Sequence, residues 1–98
     1  MDIATPQTHG YAATKDQLQK RLRRIEGQVR GVQGMVDDDR YCIDILTQIG
    51  AIQAALDKVA LGLMDEHARH CVIGAPPEDR ADKTEELMAA VARLMRRG

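Results

Sequence analysis

The feature that most constrains this chain is a repeated four-three spacing of aliphatic side chains along two long runs. Leu18, Leu22, Ile25, Val29, Val32 and Val36 step by 4-3-4-3-4 residues. Cys42, Ile45, Ile49, Ile52, Leu56, Val59 and Leu63 step by 3-4-3-4-3-4. Such spacing lines one face of an α-helix and is incompatible with the alternation of a strand. Asp37-Asp38-Asp39 separates the runs, and Asp39 is expected to cap the second helix. Thr14 and Gln17 have the spacing of a capping box, which places the first helix start there. Continued to Cys71, the second helix would hold about 30 residues and span roughly 45 Å. Gly74-Ala75-Pro76-Pro77 breaks it. A shorter third helix is expected from about Asp82 to Arg97, with Leu87, Val91 and Leu94 inward. Residues 1–13 read as a loose arm and 14–98 as a single helical domain.

Composition supports an all-α class. With no Trp, no Phe and two Tyr, the core must be aliphatic, which suits helix packing better than a sheet. Two helices of this length leave apolar surface on the open side of their hairpin. Self-association into an antiparallel four-helix-bundle dimer is the usual remedy. No apolar run approaches the roughly 18 residues of a membrane span. The first ten residues lack the features of a signal peptide, so a cytoplasmic location is expected. Two cysteines in that setting are expected as ligands, free thiols or redox groups rather than a structural bridge. The formal net charge is −1, yet residues 15–36 hold six basic side chains against two acidic ones. The face carrying Lys20, Arg21 and Arg24 is thus a candidate for nucleic-acid phosphates, although most charged helix faces are merely solvated.

His67 and Cys71 are four residues apart, so on a helix they project from one face. Cys42, the only other cysteine, lies 25 residues before His67, about 37 Å away along a straight helix. Ligand bonds of roughly 2–2.3 Å cannot close that gap within one chain. Between two antiparallel copies they can, because the midpoint falls near residues 55–56, where Ala54 and Ala55 are small enough for close approach. Two thiolates and one imidazole suit three-coordinate Cu(I), whereas Zn(II) almost always takes four ligands. A fourth ligand from His9 would open Ni(II), Co(II) or Zn(II), although a histidine in such an arm is more often simply solvated. His70 points to a different face. A buried cysteine on an apolar seam is equally well read as a small hydrophobe.

The segments Arg21–Gly31 (RLRRIEGQVRG), Tyr41–Ile49 (YCIDILTQI) and His67–Cys71 (HARHC) resemble the copper-sensitive operon repressor family. The resemblance covers about residues 14–73 well and the third helix loosely. It implies a three-helix protomer, an antiparallel four-helix-bundle dimer and a tetramer made as a dimer of dimers. It further implies a repressor that binds operator double-stranded DNA without metal and releases it on binding Cu(I). By position, Cys42 would be one ligand, with His67 and Cys71 of a second chain the other two. Tyr41 and Glu86 match the residues that hydrogen-bond the ligand imidazole and couple metal to DNA release, with Glu85 as a competing register. Arg21 and Lys58 fall at positions of basic DNA-contacting residues. Lys58 is a lysine where some relatives carry arginine, and it lacks that group's bidentate reach. Nickel, cobalt, formaldehyde and persulfide sensors share the family fold. His67 argues against the persulfide branch and Cys71 against the formaldehyde branch.

Other classes leave different traces. A copper-buffering helical bundle would bind Cu(I) without any DNA response. A thiol redox protein would use Cys42 and Cys71 and tolerate loss of His67. An enzyme is not expected, because no acid–base pair surrounds a nucleophile and no glycine loop suits a phosphate.

Overall fold

The structure, a computed structural model, describes residues 14–96. Three α-helices follow in chain order: α1 (Lys15–Asp37), α2 (Cys42–His67) and α3 (Arg80–Met95). A six-residue π-helical segment, Ala68–Ile73, continues directly from α2, and a short 3-10 turn, Pro77–Asp79, leads into α3. Among the described residues there is no strand. The all-α expectation holds, and none of these helices is long and apolar enough to cross a membrane. The expected arm at residues 1–13 lies outside the described residues.

Residues 14–61 form one compact unit, the hairpin of α1 with most of α2. Its core is Ile25, Ile52 and Val59, flanked by half-buried Leu18, Val32 and Ala55. Leu18, Ile25 and Val32 on α1 repeat by sevens, as do Ile52 and Val59 on α2 with the half-buried Ile45 before them. The other heptad set of each seam stays outside. Leu22, Val29 and Val36 on α1, with Ile49, Leu56 and Leu63 on α2, are exposed. Each seam is therefore two stripes, one inside the hairpin and one uncovered. Among the described residues three core side chains are few, and the second stripe leaves apolar surface in the open.

The turn between the helices departs from the sequence expectation. Asp39 does not cap α2. It adopts φ 55°, the left-handed region, one residue past the α1 C-cap at Asp38. Arg40 N donates to Met35 O at 2.9 Å and Asp39 N to Val36 O at 3.1 Å. That pair of bonds is a Schellman motif, which satisfies carbonyls the ended helix would leave orphaned. An aspartate accepts this conformation more readily than most residues, though less readily than glycine. At the start of α2, the Tyr41 carbonyl accepts from Asp44 N and Ile45 N, at 3.0 and 3.3 Å. Thr14 does occupy the α1 N-cap, but its side chain makes no capping bond, so the capping box is not formed.

The second unit, within the described residues, runs from Gly62 onward. Here α3 packs on the π segment and the 3-10 turn. It begins at Arg80 rather than near Asp82. Arg80 Nε donates to the Ala75 carbonyl at 3.1 Å, tying the helix start back to the proline loop. Leu87 and Val91 are half-buried as expected, whereas Leu94 is exposed.

Candidate metal centre and nucleic-acid interface

Cys42 and His67 are the first and last residues of α2. Cys42 is exposed, and it extends the uncovered stripe of Ile49, Leu56 and Leu63 by one more heptad step. His67 stands four residues beyond Leu63, which keeps it on the same helix face. Helical periodicity thus assigns Cys42 and His67 to one face of α2.

Cys71 is not on an α-helix. The Ala68–Ile73 segment is π-helical, and Gly74 N closes it by donating to Arg69 O at 3.2 Å, a five-residue step. The reading of α2 as one α-helix through Cys71 is thus corrected: the helix widens between the two expected ligands. Single π turns are uncommon and concentrate at functional positions. Two side-chain pairs brace this junction. Arg69 Nε lies 3.2 and 3.1 Å from the two Asp65 carboxylate oxygens. His70 Nε2 lies 3.1 Å from Glu66 Oε2. Both pairs link the last turn of α2 to the π segment, and His70 is engaged away from His67, as expected. Gly74 ends the segment tightly, since a Cβ there would stand 2.8 Å from the His70 carbonyl oxygen.

Both cysteines are free thiols, and Cys71 and His67 are half-buried. Two thiolates and an imidazole form a soft donor set, which fits Cu(I) by its chemistry. Among the described residues of one chain, no three His, Cys, Asp or Glu side chains gather into a group that could hold a metal ion. Tyr41 is 68% exposed just before α2. Glu86 lies on α3, with its Oε1 3.8 Å from Lys83 Nζ. Glu85 is exposed on the same helix.

Of the two alanines expected at a dyad, Ala55 packs against the hairpin core, and both Ala54 and Ala55 line a cleft. The residue on the uncovered stripe at this level is Leu56.

That cleft is the second site. It measures about 410 Å³ and is lined by Arg21, Arg24, Ile25 and Gln28 of α1 and by Ala51, Ala54, Ala55 and Lys58 of α2. Three of the four residues expected at a DNA surface, Arg21, Arg24 and Lys58, thus meet in one place. Lys20, the fourth, is exposed on α1 but does not line it. Lys58 lies nine residues from Ile49, two and a half turns, and so projects from the opposite side of α2. The hairpin carries its apolar stripe on one side and its cations on the other. Small alanines on the α2 wall leave the cations open to a ligand. Gln28 was not singled out from the sequence, because an amide on a charged helix face carries no signal there.

Comparisons with known proteins agree on the ancestry of this arrangement. The family described as metal-sensitive transcriptional repressor matches residues 14–93. The chain is 56% identical over 91 residues to the copper-sensing transcriptional repressor RicR of Mycobacterium tuberculosis, covering 90% of this chain and 95% of that protein. It is 60% identical over 67 residues to the copper-sensing transcriptional repressor CsoR of Bacillus subtilis, covering 68% and 66% of the two chains. Its fold is similar to the crystal structure of the copper-sensing repressor CsoR with Cu(I) from Geobacillus thermodenitrificans NG80-2. That match has a TM-score of 0.78 and 46% identity, over 98% of this chain and 95% of the other.

Proposed function

The chain belongs to the metal-sensitive transcriptional repressor family, and from that premise we propose that it is a Cu(I)-responsive repressor that binds operator DNA without metal and releases it when Cu(I) binds. It belongs with regulators, not enzymes. Relatives named as copper-sensing support the choice of metal. The reading takes residues 14–98 as one domain, acting in the cytoplasm as an antiparallel dimer that pairs into a tetramer.

The observation that carries it is the shared face of α2. Cys42 and His67 are the first and last residues of one helix, and helical periodicity puts both on the face that carries Ile49, Leu56 and Leu63. Burying Ile49, Leu56 and Leu63 against an antiparallel second copy removes apolar surface from water. The same packing sets Cys42 of each chain beside the His67 and Cys71 end of the other. The ligands are then Cys42, His67 and Cys71, two sites per dimer. Tyr41 and Glu86 orient the ligand imidazole, and Glu86 leaves Lys83 to do so. On the other side of the hairpin, Arg21, Arg24 and Lys58, with Lys20 nearby, take DNA phosphates.

Copper can shift DNA binding only if it favours one arrangement of chains over another. A site divided between chains meets that condition, because closing it fixes how two helices lie. The test is an anaerobic Cu(I) titration of the protein bound to a duplex that the metal-free protein selects from a random-sequence pool. Stoichiometric Cu(I) should release the duplex from the native chain, while Cys42→Ala should stay bound. Release of both alike would remove Cys42 from the sensor.

A further inference from the structure

The basic cleft contains one group that the charge argument does not use. Gln28 Oε1 is enclosed and has no hydrogen-bond partner. A buried acceptor left unsatisfied costs stability, so such an atom calls for an explanation. Arg21, Arg24 and Lys58, all rich in donors, line the same cleft, yet none is hydrogen-bonded to it. Arg24 is the natural partner, because it lies four residues before Gln28 on the same face of α1. A guanidinium has five N–H donors in a planar fork. It can give two to a phosphate and still have one for an amide oxygen.

We propose that Gln28 is a positioning residue for DNA phosphate, its amide oxygen taking an Arg24 N–H when that guanidinium turns onto the backbone. The inference rests on the DNA reading of the cleft above. In the free protein Arg24 is exposed and Oε1 has no protein donor. When phosphate occupies the cleft, Arg24 loses its water, and the amide oxygen supplies an acceptor on its inner edge. The orphaned atom is thus satisfied only in the complex, so its cost in the free state becomes preference for the bound one.

Gln28→Met replaces the amide with an apolar chain of similar length. Operator affinity should fall about tenfold or more, the worth of one charge-assisted hydrogen bond. The dependence of affinity on salt should keep its slope, because no cation is lost. Arg24→Ala, by contrast, should flatten the slope by about 0.9 in log–log terms for each subunit whose Arg24 meets a phosphate. The Arg24→Ala/Gln28→Met double variant should bind no more weakly than Arg24→Ala alone, since both changes break one contact. The thermal midpoint of Gln28→Met should stay level or rise, and its Cu(I) affinity should not change. A purely structural glutamine would instead lower the midpoint and leave the affinity of the folded protein alone. That result, or effects that multiply in the double variant, overturns the proposal. If Arg21→Ala, Arg24→Ala and Lys58→Ala all bind the duplex like the native chain, the DNA reading of the cleft fails instead.

Discussion

Asp39 shows what a single residue can hide. The sequence pattern makes it a helix starter, and the fold uses it as a helix stopper at positive φ. A three-aspartate run offers no local sign of which one turns left-handed, because the decision comes from where the α1 carbonyls need donors. Asp39→Gly should relieve the left-handed strain and raise stability by up to about 1 kcal/mol. Thermal unfolding would register this as a midpoint several degrees higher, and an unchanged or lower midpoint would show that the aspartate is held by something else. Glu86 raises a different question. Its contact with Lys83 is an exposed pair of small worth, easily given up for a metal-bound imidazole. Glu86→Ala should leave Cu(I) affinity nearly intact while abolishing the coupling of 1–3 kcal/mol typical of such switches, roughly 5- to 150-fold in DNA affinity. Normal copper-driven release by this variant would end its role, and the same loss in Glu85→Ala alone would move the role one residue.

At the scale of elements, the helices were legible and their interruptions were not. Heptad spacing fixed α1, α2 and the existence of α3, because periodicity reports a face directly. It could not say that residues 18, 25 and 32 would point inward while 22, 29 and 36 stayed outside, since both sets are aliphatic and only three-dimensional pairing separates them. The π segment left still less trace. Its one sequence mark is Gly74, which read as part of a proline-flanked break, although its lack of a Cβ is what lets the chain pass the His70 carbonyl. Gly74→Ala should therefore disturb the widened turn that carries Cys71. An overpacking cost of about 1–3 kcal/mol is expected, with Cu(I) affinity reduced about tenfold or more. Competition against a chelator of known affinity measures this, and unaltered binding would show that the turn tolerates the methyl group.

At the scale of the whole molecule, the proposed metal ligands could be named from the sequence as a set, while one chain does not bring them together as a site. Cys42 and Cys71 are the cysteines of the described residues and His67 stands four residues from Cys71, so a thiolate–imidazole set can be named from the sequence. Their meeting requires a second chain, and one sequence cannot display that. The cleft was half visible in the same way. Its arginines announce themselves by charge, while the alanines and the amide that shape it are ordinary residues until two helices are laid side by side.

The placement of Cys42 and His67 at opposite ends of α2 has a genetic corollary. If each dimer holds two sites, each borrowing from both chains, two inactive alleles can repair one another. A Cys42→Ala subunit keeps its histidine end, and a His67→Ala/Cys71→Ala subunit keeps its sulfur. Paired, they rebuild one whole site and lose the other entirely. Cells or refolded mixtures carrying both defective forms should regain a copper response that neither has alone, at half the metal stoichiometry in each mixed pair.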